Sequence, residues 1–251
     1  MSWISKIFGG AGRPADNPPA AENDHWPDED QVAAPETAEL FEDQLLRKAW
    51  AEQVLAGRGI AINPGLPCIE SLSEVSLRSP RQVAERLLAL TVVAVKGEGL
   101  DHDRVIALVG ESDGWKLFSP RELAFLHNPS PSDHDRMQFV WRYEAAWVLF
   151  WALKFMEGPL DYPAQVCDVP LLMATVRETP DLAMHGMQPG NAILNEADLI
   201  YRYHWAIRQS VIDGAATPGG LDPGVVMERH YALNWLIGYR DQDWDDILTD
   251  T

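Results

Sequence analysis

The sequence predicts a mainly α-helical protein in which a single multi-helix domain packs around a buried central helix. Two segments, Ser79–Gln82 and Ser119–Glu122, place serine before proline and put Gln or Glu at the third helical position, the pattern of a capped helix N-terminus. Glycines follow where the apolar periodicity of several segments stops, as is usual at helix C-termini. Residues 139–156 form the most apolar stretch, and the three charged side chains within it indicate a core helix instead of a membrane span.

These helix start and stop signals predict the following elements, in chain order. An apolar stripe from Leu40 to Val54 predicts a first helix that stops at the glycines 57 and 59. Residues 59–71 contain two prolines, which exclude a helix and predict an irregular or short-strand segment. The remaining helices are predicted from residue 80 through 95 with a stop at glycine 97 or 99, from 120 to just before 129, over 133–157, through 171–176 with Asp168 as its cap, over 195–213 and over 223–237.

The chain divides into a leader, residues 1–37, and a helical domain, residues 38–251. Residues 9–37 are rich in Gly, Pro, Ala, Asp and Glu and show no apolar period. Residues 1–40 carry eight acidic and two basic side chains, a net charge of −6. A stretch of this composition buries too little apolar surface to offset the entropy of ordering it, so we expect a disordered acidic leader.

Charge and cysteine usage exclude several classes of protein. The whole chain has 38 acidic and 20 basic side chains, a net charge of −18, which argues against a nucleic-acid partner because a phosphate backbone needs a basic surface. Cys68 and Cys167 stand far apart with no CxxC, as in a cytoplasmic protein with reduced thiols. Residues 1–8 are too short for a signal peptide or a span, and the acids that follow disfavour an interfacial anchor, so we expect no membrane partner.

No short catalytic or cofactor motif occurs in the sequence. It lacks GxGxxG, GxxxxGK[ST], HExxH, GxSxG and CxxC, and it indicates no cofactor and no metal. Their absence lowers the expectation of an enzyme without abolishing it, since many active sites have no short signature.

Several charged residues lie where the helical period places apolar side chains. The neighbours of Glu144 at three and four positions are Val, Trp, Trp and Val, and Glu228 has a similar apolar setting. An unpaired buried carboxylate costs several kcal/mol or takes up a proton, so these acids require cationic partners. The candidate residues are Arg142, Glu144, Arg202, His204, Glu228, Arg229 and His230.

Two interpretations of these seven residues remain open. In the first they form a structural network of ion pairs and hydrogen bonds that sets the register of three helices. In the second they line a polar pocket between helices, where a glutamate and a histidine perform acid/base chemistry or hold a metal. The acidic segment Asp241–Thr251 also has two interpretations, as a solvated end pinned by Trp244, Ile247 and Leu248 or as a surface for a basic partner.

The sequence resembles a known bacterial family. The matching strings are IYRYHWA (200–206), VMERHYALNWLIGY (226–239), DWDDILTDT (243–251), WRYEAAWVLFWAL (141–153), Cys167–Val169 and Ile69–Ser71. In this order they resemble the family called domain of unknown function 4272, from about residue 40 to the end, with the leader outside it. The resemblance implies a soluble bacterial protein and carries over no catalytic residue.

These observations favour a non-catalytic interaction protein, of an immunity or regulatory type, that binds a basic partner protein. The net charge and the absence of a catalytic signature support this hypothesis, because acidic surfaces speed association with cationic partners. The alternative is an enzyme or small-ligand binder that uses the buried Arg/Glu/His pocket.

Overall fold

A computed structural model of the protein describes residues 41–110 and 113–251, and within these ranges the fold is helical with no strand. The mainly α-helical class is therefore confirmed, and residues 59–71 are irregular. The predicted leader, residues 1–37, lies outside the described residues. The helices are α1 (Glu42–Gly57), α2 (Pro80–Glu98), α3 (His102–Gly110), α4 (Pro120–His127), α5 (Asp133–Val140), α6 (Arg142–Ala152), α7 (Val169–Glu178), α8 (Gly190–Ile212) and α9 (Pro223–Ile237).

The two capped starts are formed as predicted. The Ser79 hydroxyl accepts the backbone N–H of Gln82, and the Ser119 hydroxyl accepts that of Glu122, so each serine satisfies a free donor of the first turn. Gly238 ends α9 with a left-handed backbone (φ 71°), where a Cβ atom would lie 2.7 Å from the carbonyl oxygen of Ser76. Both the angle and this close approach require glycine.

The predicted helix over residues 133–157 is wrong in its continuity and its end. It divides at Trp141, where the N–H of Glu144 donates to the Trp141 carbonyl three residues back and tightens the turn. It ends at Ala152, before the glycine and proline at 158–159, because Lys154 adopts a left-handed φ of 62°. The structure also adds α3, which was not predicted, and starts α8 at Gly190, directly after Pro189.

Helix α6 is the centre of the fold. Residues 143–152 are all buried, and α2, α5, α7 and α9 pack against α6. Helix α8 packs against α9, and α1 packs against α8 on the outside. A helix that is apolar all round has to be enclosed by others, which explains this arrangement. Among the described helices, none combines the length and the apolarity that crossing a membrane requires.

Candidate functional site

The first buried charge cluster joins α6, α9 and the loop after α6. Arg229 is fully buried, and its Nε lies 3.1 Å from Glu144 Oε2 while its Nη2 lies 3.2 Å from Asp161 Oδ2. Glu144 also accepts the backbone N–H of Cys167, and Asp161 accepts the indole N–H of Trp147. Burial raises the pKa of Glu144, although the Arg229 charge opposes that shift. The carboxylate thus has the cationic partner that its apolar setting required.

The second cluster pairs Arg142 of α6 with Glu228 of α9. The Arg142 Nη1 lies 3.0 Å from Glu228 Oε2. The same guanidinium lies over the rings of Tyr231, at 4.8 Å from the centroid, and Trp244, at 5.8 Å. The two clusters therefore cross-link α6 and α9 twice, with an arginine from each helix paired with a glutamate of the other.

A third cluster holds α8 to α1 and to the irregular segment. Arg202 donates two hydrogen bonds of 2.8 Å to Asp198, one helical turn earlier, and both side chains are buried. Its guanidinium also lies 3.9 Å from Glu52 and donates to the carbonyl of Pro67 at 3.4 Å. The bidentate geometry is the strongest arrangement that an arginine and a carboxylate form.

The two histidines form a pair between α8 and α9. The Nδ1 atoms of His204 and His230 are 2.9 Å apart, so one ring donates and the other accepts. Burial lowers the pKa of His204 to about 4, with a further contribution from the Arg208 charge. Burial also lowers the pKa of His230 well below its usual range, and the neighbouring His204 adds to this effect.

The seven residues singled out in the sequence thus lie in four separate groups. Each of the five charged ones has an opposite charge within 3.1 Å, and the two histidines bond to each other. Within residues 41–110 and 113–251, no three side chains among His, Cys, Asp and Glu are arranged to hold a metal ion. These contacts are those of a network of ion pairs and hydrogen bonds that fixes the register of α6, α8 and α9 relative to one another.

A cleft of about 210 Å³ opens beside the first of these groups. It lies between α1, α8, α9 and the loop at 159–163, and of the seven candidate residues Arg229 lines it. Its other polar lining residues include Glu196 and Arg58, and the rest of its wall is mostly apolar or aromatic. The lining residues include Trp50, Val54, Leu160, Tyr162, Leu199, Tyr203 and Leu233.

Sequence reasoning missed Glu196, which is 7% exposed in this cleft. Burial raises its pKa to about 7, and the N–H of Leu160, at 3.3 Å, opposes the shift. A signal was present in the sequence, because its neighbours at three and four positions are Ala192, Ile193, Leu199 and Ile200, as apolar a setting as that of Glu144.

We expect the histidine pair to make the protein sensitive to mild acid. An unfolded histidine takes up a proton near pH 6.5, whereas folded His204 does so near pH 4. The contribution to stability is therefore complete above pH 6.5 and is lost as the pH falls towards 4. For His204 alone the total loss is roughly 3 kcal/mol, since one pKa unit is worth about 1.4 kcal/mol. About 1.4 kcal/mol of this loss occurs by pH 5.5, and urea unfolding at pH 7.5, 6.5 and 5.5 measures that part.

The control for this prediction is the double variant His204→Gln/His230→Gln. It keeps every carboxylate, including Glu196 with its pKa of about 7, so the parent protein is expected to lose stability relative to this variant between pH 7.5 and 5.5. The same change of stability in both proteins would contradict the assignment. The exposed His134→Gln should behave as the parent does.

Comparison with known proteins places the chain in a family and gives no closer relative. Neither a search of the curated proteins nor one of the solved structures returned a match. The sequence model of the family described as domain of unknown function 4272 matches residues 47–247, from α1 to the acidic C-terminal segment. Because this match covers most of the sequence, the chain belongs to the family of domain of unknown function 4272.

Proposed function

We propose that this protein acts by binding a basic partner protein in the bacterial cytoplasm, as an immunity-type or regulatory factor, and not as an enzyme. The first support for this proposal is the negative net charge of the helical part. Residues 41–251 carry 30 acidic and 18 basic side chains, so the helical part has a net charge of −12 in addition to the −6 of residues 1–40. Cys68 and Cys167 form no disulfide, which supports the cytoplasmic location.

The observation that carries the proposal is the anchoring of the acidic segment Asp241–Thr251 against the helices. Trp244 and Ile247 are buried, while Leu248 is half-exposed and its carbonyl accepts a hydrogen bond of 2.8 Å from Asn234. Further anchors are the Tyr231 hydroxyl on the Trp244 carbonyl and Arg208 Nη1 on the Thr251 side chain at 2.9 Å. The segment is therefore held in place by side chains of α8 and α9.

This anchoring presents carboxylates from a defined surface. Asp241, Asp243 and Asp246 are exposed, whereas Asp245 accepts the backbone N–H of Arg121. Carboxylates held in place lose less entropy on binding than those of a free tail. They also steer a cationic partner at long range, an effect that falls as salt is raised because the Debye length shortens from ~10 Å at 0.1 M to ~3 Å at 1 M.

The experiment is a pull-down of the tagged full chain from its own cell lysate at low and at high salt, with two charge-matched variants. The test variant is Asp241→Asn/Asp243→Asn/Asp246→Asn. The control replaces three exposed acids elsewhere, Asp103→Asn/Glu157→Gln/Glu178→Gln. We expect one basic protein at low salt, lost at high salt, with recovery reduced at least tenfold for the test variant and retained by the control. Equal recovery by both variants, or no basic protein at either salt, would refute the proposal.

A further inference from the structure

Arginine pairing is the rule for buried carboxylates in this protein, and one of them departs from it. Among the described residues, five carboxylates are buried, and four of these form an ion pair with an arginine. The four pairs are Glu122 with Arg86, Glu144 with Arg229, Asp198 with Arg202 and Glu228 with Arg142. Glu196 makes no ion pair with any described residue. It is also the one of the five that lines the cleft.

The hydrogen bonding of Glu196 is weak for a buried acid. Its Oε1 accepts the N–H of Leu160 at 3.3 Å, longer than the usual ~2.9 Å. A carboxylate that loses its water without gaining a partner pays a desolvation cost of several kcal/mol. Buried Glu196 therefore either takes up a proton or holds a cation from outside the described chain.

The two arginines of the cleft are engaged elsewhere. Arg229 donates to Glu144, to the Asp161 carbonyl and to the Asp161 carboxylate. Arg58 places its guanidinium over the ring of Tyr162, at 3.7 Å from the centroid. The cleft is thus lined by two arginines and two acids, Asp161 and Glu196. Because both arginines are engaged by other groups, the Glu196 carboxylate has no cation of its own.

The apolar walls of the cleft determine the uncharged part of the ligand. Trp50, Val54, Leu199 and Leu233 present apolar surface, and Tyr203 adds an aromatic ring. An apolar cavity of ~150 Å³ is enough to hold a molecule the size of benzene. A volume of about 210 Å³ therefore accommodates a short alkyl chain.

We propose that this cleft binds a primary alkylammonium group, with the charge on Glu196 and the alkyl chain along the apolar wall. The ammonium has two sources, a free aliphatic amine or a lysine side chain of another protein. This inference does not rest on the acidic segment Asp241–Thr251, so either proposal can fail without the other.

Proton release gives the site a specific signature. With a pKa of about 7, Glu196 is half protonated at neutral pH, because burial and the Asp161 charge outweigh Arg229 and the Leu160 N–H. An ammonium ion favours the carboxylate, so binding at pH 7 releases about half a proton per ligand. A site that recognises only the alkyl chain releases none.

The test is calorimetric titration of the full chain with n-pentylamine hydrochloride at pH 7, in two buffers of different ionisation enthalpy. 1-Pentanol and sodium pentanoate are the neutral and anionic counterparts. We expect the amine to bind at least tenfold more tightly than either, with about half a proton released. An acetylated, amidated Gly-Lys-Gly peptide separates the two sources, since binding of the peptide identifies a lysine side chain and binding of the amine without the peptide identifies a free amine.

Three variants assign the effect to the cleft. Glu196→Gln keeps the acceptor for Leu160 and is expected to weaken amine binding at least tenfold and to abolish proton release, whereas Glu157→Gln, at an exposed site, changes neither. Leu199→Trp fills the cleft and should abolish binding even if Glu196→Gln proves unstable. Binding of pentanoate in preference to the amine, equal binding of pentanol and amine, or binding of none of the three would overturn the proposal.

Discussion

Arg229→Met is expected to lower the free energy of unfolding by roughly 3–5 kcal/mol, because it leaves a buried carboxylate without its cation. Arg229 is 0% exposed and serves two acids, Glu144 and Asp161. Of the two, Glu144 is the buried one, and without Arg229 it has no cationic partner and retains its hydrogen bonding to Cys167. Urea unfolding at pH 7, followed by circular dichroism, measures the loss.

Two variants show whether the stranded charge causes this loss. Arg229→Met/Glu144→Gln removes the charge together with its partner and should recover more than half of the stability. Arg240→Gln breaks the exposed pair with Asp250, 3.0 Å apart, and should cost no more than about 1 kcal/mol. A loss below 1 kcal/mol for Arg229→Met would show that the Glu144 pair is not essential to the packing of α6 on α9.

Trp151→Ala is expected to lower the free energy of unfolding by about 3–5 kcal/mol, because it opens a cavity at the central helix. Trp151 is 1% exposed, and its indole N–H donates to the carbonyl of Gly158 at 2.9 Å. The substitution removes the ring from the core and also leaves this carbonyl without its donor. Thermal and urea unfolding of the variant test the expectation.

Trp50→Ala is the matched control for this second substitution. It removes the same side chain from α1, where Trp50 is 38% exposed and lines the cleft. Since much of that ring already contacts water, we expect less than half the cost of Trp151→Ala. Similar losses for the two tryptophans would contradict the placement of α6 at the centre of the fold.

Together these expectations assign different roles to the buried charges. The pairs that cross-link α6 and α9 stabilise the packing of the helices, since each charge meets its counterpart within the fold. Glu196 has no such counterpart in the described chain and instead faces an open cleft. The contrast between satisfied and unsatisfied acids separates structural residues from a ligand site here, without reference to any motif.

Short-range sequence patterns were enough to predict many of the helix boundaries. The capping boxes at Ser79 and Ser119 and the stop at Gly238 depend on residues a few positions apart, so they were predicted with their boundaries. The break at Trp141 and the early end at Ala152 were not predicted. No glycine or proline marks either point, and both depend on how the chain turns against its neighbours.

The sequence predicted that the buried acids need cationic partners, but it did not predict which arginine pairs with which acid. The apolar setting of Glu144 and Glu228 showed that each needed a cation, and each has one. The sequence did not show that Arg142 pairs with Glu228 and Arg229 with Glu144, 86 and 85 positions apart, because such pairs form only when α6 packs on α9.

The same limit applies to Glu196. Its apolar helical setting is readable in the sequence, but whether a buried acid has a partner depends on every element around it. Local sequence determined where the helices begin and which charges would be buried, since capping and helical periodicity act over one or two turns. Tertiary packing alone decided which of those charges were neutralised and which one was left facing the cleft, because ion pairing requires atoms from distant segments to meet within about 4 Å.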